Sequence, residues 1–71
     1  MTKKTLLNIP KEQWIGIIMT FPFEADYKII SLNDEEKMAT LENIEIKEIA
    51  KVHYNILRNR VGVMCYIKEV A

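Results

Sequence analysis

The sequence predicts a small α+β domain in which two amphipathic helices cover one face of an antiparallel sheet. Apolar residues recur at helical spacing in two segments, and strand-forming runs lie between and after them. Pro10 stands where the first helix would begin, and Gly62 follows the end of the second. The expected order is β-α-β-β-α-β, the ferredoxin-like arrangement, in a single domain of residues 1–71. Without the first strand the order becomes α-β-β-α-β, which is still a two-layer sandwich.

The N-terminal third supplies the first strand and the first helix. Residues 5–9 are short and apolar, as in a strand, although Asn8 weakens the pattern. After Pro10, apolar side chains occupy the i, i+3, i+4 and i+7 positions of one helical face, namely Trp14, Ile17, Ile18 and Phe21. Ile15 and Met19 widen this stripe beyond half of the circumference, and Pro22 ends the helix.

The remaining two thirds supply a hairpin, a second helix and a last strand. Residues 25–32 and 37–46 are rich in strand formers and flank the polar turn "NDEE". Residues 46–59 form the second helix, whose apolar face holds Ile46, Ile49, Ala50, His53 and Leu57. Residues 61–70 alternate as a strand, with Val61, Val63, Cys65 and Ile67 on one face and Met64, Tyr66, Lys68 and Val70 on the other.

An all-α alternative remains open for the second half of the chain. Asn33 followed by Glu36 is also a helix-start pattern. The stretch "KEIAKVHYNILRNRV" resembles the helix-turn-helix motif, in which an "EIA" helix, a short turn and a second helix recur. The resemblance implies a DNA-binding transcriptional regulator that uses residues 47–69. The sequence departs from the motif in having no glycine in the turn and Leu57 at the usual polar N-cap, and "RNRVGVMCYIKE" has the composition of a strand.

Composition excludes several classes of protein. Ten basic residues balance ten acidic ones, so global charge favours neither nucleic acid nor a membrane surface. The charge is unevenly placed, since residues 24–48 carry eight acids and three lysines while residues 49–71 carry four bases and one acid. There is no signal peptide pattern and no apolar run of the roughly 20 residues that cross a bilayer. We therefore expect a soluble cytoplasmic protein.

Few residues are equipped for catalysis, and we expect no enzyme, no cofactor, no metal site and no small-molecule substrate. Cys65 is the single cysteine and lies in an apolar run, which indicates a small buried side chain. His53 has apolar neighbours one helical turn away in both directions, as a structural histidine does. An enzyme built around His53 is the least supported alternative. Two glycines cannot form a phosphate-binding loop, and Ser31 lacks a nucleophile motif.

Two surfaces could bind a partner. A ridge on the second helix, spaced i, i+4, i+7 and i+11 and continued by Arg60, would face water or an anionic partner, and consists of Lys47, Lys51, Tyr54, Arg58 and Arg60. The first helix and the residues after it carry more apolar side chains than one core face needs. They either fill the core or anchor an interface, and they are Trp14, Ile15, Met19, Phe21 and Phe23.

The function expected from these features is non-enzymatic binding of another macromolecule. At 49% hydrophobic residues, so short a chain either packs a very apolar core or leaves surface for a partner. We expect a protein partner, self-association as a homodimer, or both, in a small regulator or inhibitor of the kind that phages and mobile elements encode. Nucleic acid is the alternative partner, and a membrane is not expected.

Overall fold

The computed structural model describes residues 4–22, 24–60, 62 and 65–69. Five strands form one antiparallel sheet in the order β4-β3-β2-β1-β5, and they are β1 (Ile18–Phe21), β2 (Ala25–Asn33), β3 (Met38–Asn43), β4 (Ile49–His53) and β5 (Tyr66–Glu69). One helical turn, α1 (Tyr54–Leu57), and two 3₁₀ turns, Leu6–Asn8 and Lys11–Gln13, complete the described elements. The chain is thus a small mixed α+β domain, and the all-α alternative is wrong.

The predicted hairpin of residues 25–32 and 37–46 is confirmed as β2 and β3, although the second strand ends at Asn43 and residues 44–46 form a turn. Asn33 forms the turn between them, because its Oδ1 accepts hydrogen bonds from the backbone N–H groups of Glu35 and Glu36. The Asn33–Glu36 pattern that also suggested a helix start therefore makes a strand-to-strand turn. Lys37 closes the turn with φ of 58°, a left-handed backbone.

The predictions for the N-terminal third are wrong in their element types. Residues 5–9, predicted as a strand, contain the 3₁₀ turn Leu6–Asn8. Residues 10–21, predicted as a helix, contain a single 3₁₀ turn followed by β1. The predicted helix does not continue past this turn, because Gly16 has φ of 95° and its N–H donates to the carbonyl of Ile29, 2.8 Å away. From Ile17 onward the backbone pairs with β2 instead of with itself.

The predicted helix over residues 46–59 is also wrong, apart from the single turn Tyr54–Leu57. Lys47 has φ of 63°, and the next five-residue segment pairs with β3 as β4. β-Branched residues in this segment fit a sheet at least as well as a helix. The helix begins only after His53, and Asn59 ends it with φ of 58°. Since residues 49–53 and 66–69 are strands, no helix-turn-helix forms in the described part of residues 47–69.

The last predicted strand is confirmed over Tyr66–Glu69, where β5 pairs with β1. Val61, Val63, Met64 and Val70 lie outside the described residues. The β-α-β-β-α-β order and its shorter form are not confirmed, because β1 to β4 follow one another as neighbours in the sheet. Both segments expected to be long helices are mainly turn and strand.

One face of the sheet packs the core. The 3₁₀ turns and α1 cover this inner face, and the buried apolar residues are Leu6, Trp14, Ile17, Met19, Phe21, Ile29, Ala39, Leu41, Tyr54, Leu57 and Cys65. Alternation along β3 shows the division clearly, since Ala39, Leu41 and Asn43 are buried while Met38, Thr40 and Glu42 are half-buried on the other face. The N-terminal segment reaches the far side of β5, where the N–H of Ile67 donates to the carbonyl of Lys4 at 2.7 Å.

Candidate functional site

The apolar residues proposed as a partner-binding surface lie mostly in the core. Trp14 and Met19 have no exposed surface, and Phe21 is 8% exposed. Ile15 is the exception at 47% exposed, while Phe23 lies outside the described residues. The structure therefore corrects the accessibility of this set, since its aromatic anchor, Trp14, serves the core.

The predicted basic ridge is not a continuous surface, because the helix that would align it does not form. Lys47 lies in the β3–β4 turn and Lys51 on the outer face of β4. Tyr54 is buried at the start of α1, Arg58 is half-buried at its end, and Arg60 is exposed beyond it. Arg58 and Tyr54 remain close together, but Lys51 lines a different concavity.

A different set of basic residues converges instead around a concavity of about 290 Å³. We call it the cationic corner and define it by its lining residues, Lys11, Lys37, His53, Tyr54, Asn55 and Arg58. Its three cations come from the second 3₁₀ turn, the β2–β3 turn and the end of α1. Sequence reasoning missed the corner because Lys37 is brought to Arg58 by strand pairing and Lys11 by contacts of the second 3₁₀ turn with Asp34 and Tyr54, not by any local spacing.

Two buried aromatic rings form the base of the cationic corner. The rings of Trp14 and Tyr54 meet edge to face with centroids 5.5 Å apart. The guanidinium carbon of Arg58 lies 5.0 Å from the Trp14 ring centroid and 5.7 Å from that of Tyr54. The Lys11 ammonium lies 5.5 Å from the Tyr54 centroid. Contacts with aromatic ring faces therefore help to hold the charged groups of Lys11 and Arg58 in place.

One carboxylate, Asp34, lies at the rim of the corner. Its Oδ1 accepts a hydrogen bond from the Tyr54 hydroxyl at 2.8 Å and pairs with the Lys11 ammonium at 2.7 Å. The Lys11 hydrogen bond, followed by that of Tyr54, holds the pKa of Asp34 below its ordinary value. Burial, with Asp34 as a further cause, raises the pKa of Tyr54 to about 12, so its hydroxyl stays protonated and donates.

His53 joins the corner as the N-cap of α1. Its Nδ1 accepts a hydrogen bond from the backbone N–H of Asn55 at 3.1 Å. An imidazole that accepts at Nδ1 carries its proton on Nε2, so Nε2–H is the free donor. The histidine expected to be half-buried among apolar neighbours is therefore an exposed capping residue.

The second candidate feature is the outer side of β4. The N–H of Asn43 donates to the backbone carbonyl of Glu48, and the N–H of Tyr54 donates to the backbone carbonyl of Lys37. The backbone groups of the even-numbered residues in and around β4 therefore face β3. Antiparallel pairing alternates the direction of these groups, so those of Ile49, Lys51 and His53 point away from the sheet. We call these outward groups the β4 edge. Within the described residues, no other strand pairs with it.

Cys65 is buried without exposed surface, as the sequence predicted. Burial raises the pKa of its thiol to about 11, which disfavours the reactive thiolate. Its Sγ lies 3.7 Å from the carbonyl oxygen of Ile56 and 3.8 Å from that of Leu57. Among the residues described, no group of three or more His, Cys, Asp or Glu side chains could hold a metal ion.

Comparisons of the chain with protein-family models, with curated proteins and with solved structures gave no match. In the described part of the chain, every helix is too short or too polar to span a bilayer.

Proposed function

We propose that this chain is a small, non-enzymatic regulatory or inhibitory protein that binds another protein, of the kind that phages and mobile elements encode, and that it self-associates as a homodimer. The observation that supports this proposal is the β4 edge. A strand whose backbone N–H and C=O groups point outward can pair with an extended segment of another chain. A regulator of this type acts by occupying a surface of its partner.

The side chains next to the β4 edge also favour docking there. Ile49 is 56% exposed, and Ile46 in the preceding turn is 61% exposed. A strand added to β4 would remove part of this apolar surface from water, at roughly 25 cal/mol for each Å² buried. The other edge of the sheet differs, because Ile67 of β5 already donates to the carbonyl of Lys4.

A second copy of the chain is the simplest partner, and its register can be specified. In a two-fold antiparallel pair centred on Ala50, Lys51 of each copy lies opposite Ile49 of the other. A pair centred on Lys51 would instead place two ammonium groups opposite each other, which is destabilising. Lys51 thus disfavours uncontrolled pairing at this edge, as lysines do on many edge strands, and favours the register centred on Ala50 over the one centred on Lys51.

The proposal is tested by removing one outward N–H group. Lys51→Pro deletes the N–H of residue 51, which points away from β3, and leaves the even-numbered bonds in place. Lys51→Ala is the matched control, because it removes the same ammonium but keeps the N–H. We expect a dimer in sedimentation velocity for the original chain and for Lys51→Ala, and a monomer for Lys51→Pro.

Circular dichroism must first show that Lys51→Pro keeps the sheet. A synthetic chain that is N-methylated at Lys51 makes the same test without the proline ring. For a partner other than a second copy, the test is loss of amide signals of residues 49–53 on binding. Binding that leaves those amides unchanged, or that Lys51→Pro does not weaken, would refute the β4 edge as the docking site.

A further inference from the structure

We propose that the cationic corner binds a phosphate monoester group, held by Lys37 and Arg58 with donors from His53 and Asn55. The cationic corner differs from the β4 edge, because it would bind through charged side chains in a concavity and not through unpaired backbone groups. The phosphate proposal gives a role to Lys37, Arg58 and Asn55, which the strand-pairing proposal does not use, and to the side chain of His53, whose backbone belongs to the β4 edge.

The charge balance of the corner is positive. Three cations line it, and the carboxylate at its rim, Asp34, is engaged by Lys11 and the Tyr54 hydroxyl. Within the described residues, neither Lys37 nor Arg58 has a carboxylate at ion-pair distance. The larger concavity nearby, of about 530 Å³, has the opposite character, since its lining includes Asp34, Glu35 and Glu36 with a single lysine. Of these two concavities, the cationic corner is therefore the one that favours an anion.

The donors of the corner favour phosphate over a simple carboxylate. Lys37 and Arg58 supply charged donors, His53 supplies Nε2–H, and Asn55 supplies its side-chain amide. These groups come from three segments that surround the concavity. A phosphate monoester offers three terminal oxygens and close to two negative charges at neutral pH, so it can use more of these donors than a carboxylate can.

The site is also partly organised before any ligand arrives. The Arg58 guanidinium lies over the rings of Trp14 and Tyr54, which have 0% and 1% exposure. A cation held against buried rings loses less side-chain freedom on binding, and the low polarity of the rings strengthens its attraction to an anion. The volume, about 290 Å³, suits a phosphate group on a small molecule or a side chain.

Nuclear magnetic resonance titration of the intact chain tests the proposal. Inorganic phosphate and O-phosphoserine are the probes, with serine and acetate at matched ionic strength as controls. We expect both phosphate compounds to shift the backbone amides of Lys37, Asn55 and Arg58, and the controls to leave them unchanged. If O-phosphoserine binds more tightly than inorganic phosphate, the ester portion contributes and the natural source is a phosphorylated residue or metabolite.

Two variants remove charge without disturbing the backbone. Lys37→Asn retains a residue that tolerates the left-handed conformation found there, and Arg58→Gln retains much of the side-chain stem. We expect each to weaken phosphate binding at least fivefold. Lys28→Gln is the matched control, because Lys28 is an exposed lysine of β2 that lines neither concavity, and its loss should leave binding unchanged.

Several results would overturn the phosphate site. Equal shifts with acetate, or equal weakening by Lys28→Gln and Lys37→Asn, would show general attraction of anions to the surface. Tight, steeply salt-dependent binding of duplex DNA that survives Lys37→Asn would assign the basic residues to nucleic acid. If Arg58→Gln unfolds the chain, Lys37→Asn alone decides, since Lys37 is exposed and lies in a turn.

Discussion

The two faces of the sheet differ in how much their side chains contribute to stability. On the inner face, Met19, Ile29 and Leu41 are almost fully buried beneath the 3₁₀ turns and α1. On the outer face, Lys28 lies opposite Glu42, and Lys68 of β5 pairs with Asp26 of β2. Burial of apolar surface stabilises far more than exposed charge pairs do. Stability therefore depends on the inner face and its cover, while the outer face and its edges are free to vary with function.

The largest expected effect comes from Trp14, the largest fully buried side chain. Trp14→Ala removes the ring that packs on Tyr54 and beneath Arg58, and should lower the free energy of unfolding by about 3–5 kcal/mol. Small domains have total free energies of unfolding of about 5–15 kcal/mol, so this substitution should remove a large share of the stability. Urea denaturation followed by circular dichroism measures the change.

Ile15 is the control for Trp14, because it is adjacent in sequence and 47% exposed. Ile15→Ala should cost about 1 kcal/mol or less. Equal costs for the two substitutions would contradict the burial of Trp14 and would restore both residues as candidates for an exposed interface.

Asn59 should give the next largest effect, because it connects the end of α1 to Cys65, the residue before β5. Its side chain donates to the carbonyl of Cys65 at 2.9 Å and accepts from the N–H of Cys65 at 3.1 Å, while its backbone has φ of 58°. Asn59→Ala loses these hydrogen bonds and strains the backbone, for a cost of about 2–3 kcal/mol.

Asn59→Gly separates the two causes, because glycine accepts the left-handed conformation but makes no side-chain hydrogen bond. It should be more stable than Asn59→Ala by about 1 kcal/mol in the same denaturation experiment. A glycine variant no more stable than the alanine variant would show that backbone strain plays no part.

The β2–β3 hairpin could be predicted from sequence because its determinants are local. Asn33 and the polar residues after it specify the turn, and the flanking runs have strand composition. The first predicted helix failed because residues 14–21 carry two periods at once. Ile17, Met19 and Phe21 alternate as in a half-buried strand, and Gly16 then decides in favour of the strand.

The candidate site was largely invisible in the sequence for a related reason. Arg58 and Tyr54 were identified as neighbours in a basic ridge, and they are neighbours in the structure. Lys37 reaches them because β3 pairs with β4, and Lys11 because the second 3₁₀ turn packs against Tyr54 and Asp34, both consequences of long-range contacts. No spacing along the chain encodes that convergence.

Tyr54→Phe is expected to have a smaller effect, since the ring stays in the core and only the hydroxyl is lost. The hydrogen bond from the Tyr54 hydroxyl to Asp34 is lost, but Asp34 is exposed and keeps its ion pair with Lys11, so the cost in stability should be smaller than for Asn59→Ala. Because this bond is the second cause of the lowered pKa of Asp34, that pKa should rise partway toward its ordinary value. Carboxyl-carbon chemical shifts during an acid titration measure it. The control is Tyr27→Phe, whose half-buried ring packs on Phe21 and which should leave the Asp34 titration unchanged.

The smallest expected effect is on the outer face, where the hydrogen bond from Lys68, then that from Thr20, holds the pKa of Asp26 below its ordinary 3.8. A carboxyl whose pKa is lowered by folding stabilises the protein above the unfolded value, and this contribution is lost as the pH falls through the lowered pKa. Lys68→Gln should therefore be less stable than the original chain near pH 6, and the difference should shrink below about pH 4. Lys28→Gln is the control, because Lys28 lies on β2, the strand of Asp26. Its loss of stability relative to the original chain near pH 6 should be smaller than that of Lys68→Gln. A gap for Lys68→Gln that stays constant down to about pH 2 would show that the lysine acts through packing of its methylene chain and not through the charge of Asp26.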